Sequence, residues 1–180
     1  MFKALLLIIF YNISLINVSS ADIDARHLNK GWIANSSKDE ITDEISHDAI
    51  LISDKIDTEN YSNKNISIIS IACIENNPVV FFIGSTPLAI LTESVIEYRF
   101  DKNNGVQTQA DDYNKLQSAA FKKEDKVNQF VKQAFGANNL IVRFTGARGR
   151  TVVRFKATNA KPAIDKALDG CGWYKPDPAP

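Results

Sequence analysis

The chain has 180 residues, which gives room for one domain and too little for two comfortable ones. Hydrophobic residues make up 44% of it, so a real core is expected, and the formal net charge of zero leaves no global field favouring nucleic acid or acidic surfaces. The zero conceals two opposed halves: residues 22–114 hold 7 Lys/Arg against 16 Asp/Glu, a net of −9, and residues 115–180 hold 13 against 5, a net of +8. Mutual attraction between two layers of one domain is the expected use of this asymmetry. A bipolar surface that meets a partner is the alternative.

The N-terminus has the three parts of a secretory signal. Lys3 supplies a positive charge, an apolar run interrupted by Asn12 and Asn17 follows, and Ser19, Ser20 and Ala21 are small residues before Asp22, the first acidic one. The run is shorter than the roughly 20 apolar residues that span a bilayer. Residues 1–21 therefore read as a signal peptide cleaved after Ala21, with an uncleaved anchor as the alternative. Membrane contact is expected only through this segment before cleavage, and the mature chain is expected in the periplasm or outside the cell. No cysteine lies near the exit, so lipoprotein attachment is not expected.

Residues 22–30 are polar and read as a flexible segment before a single β-rich domain over 31–174. Gly31-Trp32-Ile33-Ala34 begins the first strand, with Trp32 as a core residue. Residues 35–44 (NSSKDEITDE) read as a polar acidic loop, and residues 49–52 as a short strand. Residues 54–64 are charged and turn-rich, an exposed connection. Residues 65–73 (NISIISIAC) favour a buried strand, and Glu75-Asn-Asn-Pro78 signals a turn into a second strand over 79–83. Pro87 marks a break before the next element.

Residues 94–100 (SVIEYRF) alternate: Ile96, Tyr98 and Phe100 share one face, and Val95, Glu97 and Arg99 the other. Residues 101–105 form a turn with an Asn-Gly hairpin signal. Residues 106–110 and 115–120 are weaker strands around a polar 111–114. The period then changes. Val127, Phe130, Val131, Ala134 and Phe135 form one apolar helix face, acidic Glu124 and Asp125 suit its positive end, and Gly136 suits its cap. Residues 140–144 and 151–155 are alternating strands around a hairpin tip, with Arg143 and Arg154 facing away from the core. Asn159 is placed to cap a last helix, whose stripe is Ile164, Ala167 and Leu168 and which ends at Gly170. Residues 175–180 read as a disordered tail. The whole predicts a mainly β, α+β chain: a β-sandwich-like domain with two short helices packed late in the sequence.

Export changes how the two cysteines read. An even pair in an oxidising compartment becomes a disulfide, which predicts a Cys73–Cys171 bond, with two free buried thiols as the alternative. Neither cysteine has a CxxC partner, so metal and thioredoxin-like readings are poor.

The landmarks in order are Gly31-Trp32, the acidic KDEITDE, a strand ending at Cys73, VIEYRFD over 95–101, the helix over 128–135, the LIVRF and TVVRF strands, and a last helix closing on Cys171-Gly-Trp173. This set resembles the family of exported bacterial β-sandwich proteins that includes the type VI secretion-associated protein TagO, also called VasI. The likeness covers nearly all of the mature chain. It differs at the acidic stretch, where the family often has a Ser-Pro-Leu-Asp-Asp type sequence. The resemblance implies a β-sandwich, a disulfide and export, and an envelope or secretion-system protein as partner.

No catalytic set stands out. The only histidines, His27 and His47, flank polar segments and read as surface residues, and no Gly-x-Ser-x-Gly elbow is present. Asp39, Glu40, Asp43 and Glu44 lack the alternation and glycine of a calcium loop. No catalytic residue, metal ligand or cofactor is assigned. Gly146-Ala-Arg-Gly-Arg150 lacks the ending of a phosphate-binding loop and lies between two strands. With neighbours it forms a candidate binding patch of Arg143, Arg148, Arg150, Arg154 and Lys156, suited to an anionic glycan, lipid headgroup or acidic protein; nucleic acid is disfavoured by export and by the scarcity of interleaved aromatics. The expected function is a non-enzymatic binding or accessory module of the envelope. The alternatives are a periplasmic hydrolase acting on cell-wall material through paired carboxylates and a secreted effector or adhesin-like protein.

Overall fold

The computed structural model describes residues 30–53, 55–58, 67–84, 95–114, 118–146 and 149–175. The expected signal peptide over 1–21, the expected flexible residues 22–29, the Pro87 break, Arg148 and residues 176–180 lie outside the described residues. The elements are β1 (Ile33–Lys38), β2 (Ile45–Ile52), β3 (Lys55–Thr58), β4 (Ser67–Ile74), β5 (Asn77–Gly84), β6 (Val95–Phe100), β7 (Val106–Gln109), β8 (Asp112–Asn114), β9 (Ser118–Phe121), α1 (Glu124–Ala134), β10 (Asn139–Gly146), β11 (Gly149–Lys156) and α2 (Ala160–Ala167). They make two antiparallel sheets. One runs β1-β2-β4-β5-β9-β8 and the other β3-β11-β10-β6-β7. This is the β-sandwich-like α+β architecture that the alternation of short strands predicted.

The core lies where the alternating faces meet. Leu51, Ile69, Ile71, Val80, Phe82 and Phe121 come from the six-stranded sheet, and Ile96, Phe100, Leu140, Val142 and Val153 from the five-stranded one; all are buried. The apolar stripe of α1 inserts Phe130 among Phe82, Tyr98, Phe100 and Phe121, with ring centroids 5.1 to 6.3 Å apart in mostly edge-on pairs. Such pairs add about 0.5–1.5 kcal/mol each beyond the area they bury. Burial also pushes the Tyr98 phenol up to about 12. Helix α2 lies on β1, β2 and β4 and buries Ala160, Ala163, Ile164 and Ala167.

Cys73 and Cys171 are joined in a disulfide, with Cα atoms 5.7 Å apart. The chain around Cys171 is shaped for it. Gly172 donates its N–H to Asn76 Oδ1 at 3.0 Å, and a side chain there would collide with the Asn76 carbonyl. Glu75 and Asn76 both take positive φ, making a two-residue turn between the paired Ile74 and Asn77. Gly31 is confined from the other side. Its φ is +84°, and a Cβ would overlap both oxygens of Thr158, the residue whose carbonyl accepts the Trp32 N–H at 2.8 Å.

Four expectations need correction. The stretch 35–44 is not all loop: β1 continues to Lys38, paired with Ile45, and only the tip turns. Its polar strand is held by cross-strand side-chain bonds, Asn35 to Asp48 at 2.9 Å, Ser36 to His47 at 2.7 Å and Ser37 to Ser46 at 2.7 Å. The connection 54–64 contains β3, which pairs with β11 so that Lys55 faces Arg154 and Asp57 faces Val152 in register. The polar stretch 111–114 contains β8. Asn159 precedes α2 in the left-handed region and makes no side-chain cap bond.

The opposed charge of the two halves is spent partly inside the domain. Asp111 pairs with Lys126 at 2.6 Å, and Glu97 pairs with Arg143.

Candidate functional site: the outer face of the five-stranded sheet

The alternation that buries Leu140, Val142 and Phe144 sends their neighbours to the opposite face. Antiparallel pairing then aligns those neighbours in rows. Arg154 of β11 faces Ile141 of β10, which faces Arg99 of β6. In the next row Val152 faces Arg143, which faces Glu97. Arg150 and Lys156 lie further along β11, opposite Thr145 and Asn139. Among the described side chains, five cations therefore share this face with one carboxylate, Glu97. Arg99, Arg150, Arg154 and Lys156 are exposed, and Arg143 and Glu97 are half-buried against each other.

A cleft of about 290 Å³ opens among these rows. Its lining is Glu97, Arg99, Ile141, Arg143 and Val152, with Tyr98 and Gly105. The floor is mixed: two aliphatic side chains between guanidinium groups. An arginine fork presents several donors in one plane and matches carboxylate or phosphate oxygens two at a time. Glu97 engages Arg143, which leaves Arg99 as the guanidinium of the cleft on the β6 side.

Of the expected patch, Arg143, Arg150, Arg154 and Lys156 are brought to one face, and Arg148 lies outside the described residues. The hairpin register closes at Gly146 opposite Gly149, as a tip between two strands requires. Arg99 was missed as a member of the patch. The alternation of residues 95–100 already set Arg99 and Glu97 on one face, but nothing in the sequence says that β6 pairs with β10.

The acidic stretch forms the tip of the β1–β2 hairpin. Asp39 accepts the backbone N–H groups of Ile41 and Thr42, each at 2.8 Å, and the Thr42 bond first, then the Ile41 bond, hold its carboxyl below the ordinary carboxylate range. Lys38 pairs with Asp43 at 2.5 Å. Among the described residues no three His, Cys, Asp or Glu side chains are grouped so as to hold a metal ion. His47 is exposed on β2, in a hydrogen bond with Ser36 Oγ.

No family model, curated protein or solved structure matches this chain.

Proposed function

We propose that the chain is an exported envelope protein that acts as a non-enzymatic binding or accessory module, and that it meets its partner through the outer face of the five-stranded sheet. The observation that carries this reading is the gathering of Arg99, Arg143, Arg150, Arg154 and Lys156 on one sheet face from three strands. Such a face selects an anionic partner and steers its approach, with a rate that falls as salt rises. The aliphatic floor between the guanidinium groups adds contact area for a partner that is more than a point charge.

Export is supported by the signal-like N-terminus and by the Cys73–Cys171 disulfide, since such bonds persist in oxidising compartments. The landmarks shared with the TagO group support a place beside a secretion system. The test is retention of envelope components by the immobilised mature protein, compared with an Arg150→Glu/Arg154→Glu variant. Retention that is lost in the variant and in high salt supports the assignment. Retention unchanged by the double reversal refutes this surface.

A further inference from the structure

The basic cleft has a counterpart on the same chain. The β1–β2 hairpin leaves the body of the domain at Ala34 and Asp48, and every residue from Asn35 to His47 is exposed. Four paired residues of β1 project beyond Ala34, roughly 13 Å of strand. This arm is stiffened by its three cross-strand side-chain bonds and by the Asp39 carboxylate, which closes the turn. Its tip presents Ile41 at 93% exposure, with Ile45 at 63% behind it. Glu40, Asp43 and Glu44 surround them.

One exposed isoleucine carries no weight by itself. Here the tip and the cleft match in both respects that matter. The tip is an aliphatic group ringed by carboxylates. The cleft is an aliphatic floor, Ile141 and Val152, flanked by Arg99 and by Arg143 in its pair with Glu97, with Arg154 next to Ile141 in register. The formal net charge over residues 22–180 is only −1, so copies barely repel one another as a whole while tip and cleft attract.

We infer that the acidic tip of one copy docks in the basic cleft of a second copy, with Ile41 against Ile141 and Val152 and the tip carboxylates among the arginines. The inference rests on the outer sheet face being the contact surface proposed above. The contact is heterologous: each copy that uses its tip still has a vacant cleft. Association therefore extends into head-to-tail chains unless the rotation closes a ring. A hairpin tip is smaller than a standard interface, so the contact is weak and depends on salt.

Sedimentation velocity of the disulfide-bonded mature chain tests this. The weight-average mass is expected to rise with protein concentration in low salt and to return to the monomer value at about 1 M salt, where the screening length is about 3 Å. A tip variant, Ile41→Ser with Glu44→Gln, and a cleft variant, Arg99→Glu with Arg154→Glu beside it, are each expected to stay monomeric. All four positions are exposed, and circular dichroism of each variant checks that it is folded. Mixed together, the two variants restore one intact tip-in-cleft pair and form dimers that do not grow. A wild-type chain that stays monomeric at every concentration overturns the inference. So do variants that associate like wild type, and so does a mixture that stays monomeric while wild type associates. A monomeric wild type whose cleft variant still loses an envelope ligand removes self-docking and leaves the proposed contact surface standing.

Discussion

Replacing Asp111 by alanine should unfasten the start of α1 from the sheet. The residue before this helix, Lys123, provides no side-chain cap. Asp111 supplies one from a distance: its Oδ2 accepts the N–H groups of Lys122 at 2.9 Å and Lys123 at 3.0 Å, and its Oδ1 accepts from Lys126 Nζ at 2.6 Å. Its side chain is 7% exposed and that of Lys126 18%. Burial is the largest single influence on this carboxyl and opposes ionisation. The bonds from Lys126 and from the N–H groups of Lys123 and Lys122 together outweigh it, so the carboxyl is held below the ordinary carboxylate range. A charge-assisted hydrogen bond contributes about 1.5–3 kcal/mol and a lost helix cap costs ~1 kcal/mol, while freed donors recover part of this from water. We expect Asp111→Ala to lose about 2–3 kcal/mol at neutral pH. In a domain of this size that lowers Tm by about 5–10 °C. The pH dependence has a definite sign. A carboxyl depressed in the folded state adds stability above its unfolded pKa of about 4, and that stability disappears as pH falls through the folded value. Urea unfolding followed by tryptophan fluorescence, on wild type and variant at neutral pH and below about pH 3, reads both quantities. A loss under about 0.5 kcal/mol at neutral pH would refute the capping role, as would a difference that does not shrink in acid.

Two further perturbations separate backbone effects from packing. Removing the disulfide with Cys73→Ala and Cys171→Ala opens a loop of 98 residues. The chain-entropy argument gives a loss of about 4–5 kcal/mol in urea unfolding, and an equal midpoint for the variant and the oxidised wild type would contradict it. Gly31→Ala and Gly136→Ala both place alanine at positive φ, +84° and +76°. The added Cβ meets Thr158 at the first site and open space at the second. Gly31→Ala should therefore cost more than about 3 kcal/mol and Gly136→Ala only ~1 kcal/mol, and similar costs would mean that the Gly31–Thr158 approach is unimportant.

Legibility in the sequence tracked burial. Ile96, Tyr98 and Phe100, the stripe Val127, Phe130 and Val131, and the strands ending at Phe144 and Phe155 could be read because one face of each must be apolar. The strands that escaped notice need no apolar face. β3 and β8 are edge strands, each paired on one side only through the backbone, to which composition is nearly blind. The outer half of β1 is polar on both faces and is held by Asn35, Ser36 and Ser37 reaching across to β2. The turn over 101–105 was legible, and it joins β6 to β7 in a hairpin with Tyr98 opposite Val106. What composition did not show is that Asp101, at positive φ, accepts N–H bonds from Asn138 and Asn139, a contact between residues far apart in sequence. The basic face was half legible. Alternation shows which side of each strand Arg143, Arg154 and Arg99 occupy, whereas their assembly depends on β6 lying beside β10.

The disulfide also determines how the chain responds to tension. The covalent ring from Cys73 to Cys171 encloses β5 through β11 and both helices, and leaves β1, β2, β3 and β4 up to Ala72 outside it. A pull applied at the two ends can unravel only this outer part before it loads the bond itself. The enclosed stretch of 98 residues, about 330 Å when extended, stays out of reach of the force until the bond is reduced. The domain is therefore built as an outer tether attached to a locked body, and a reductant lets the chain extend by about 330 Å more under the same load.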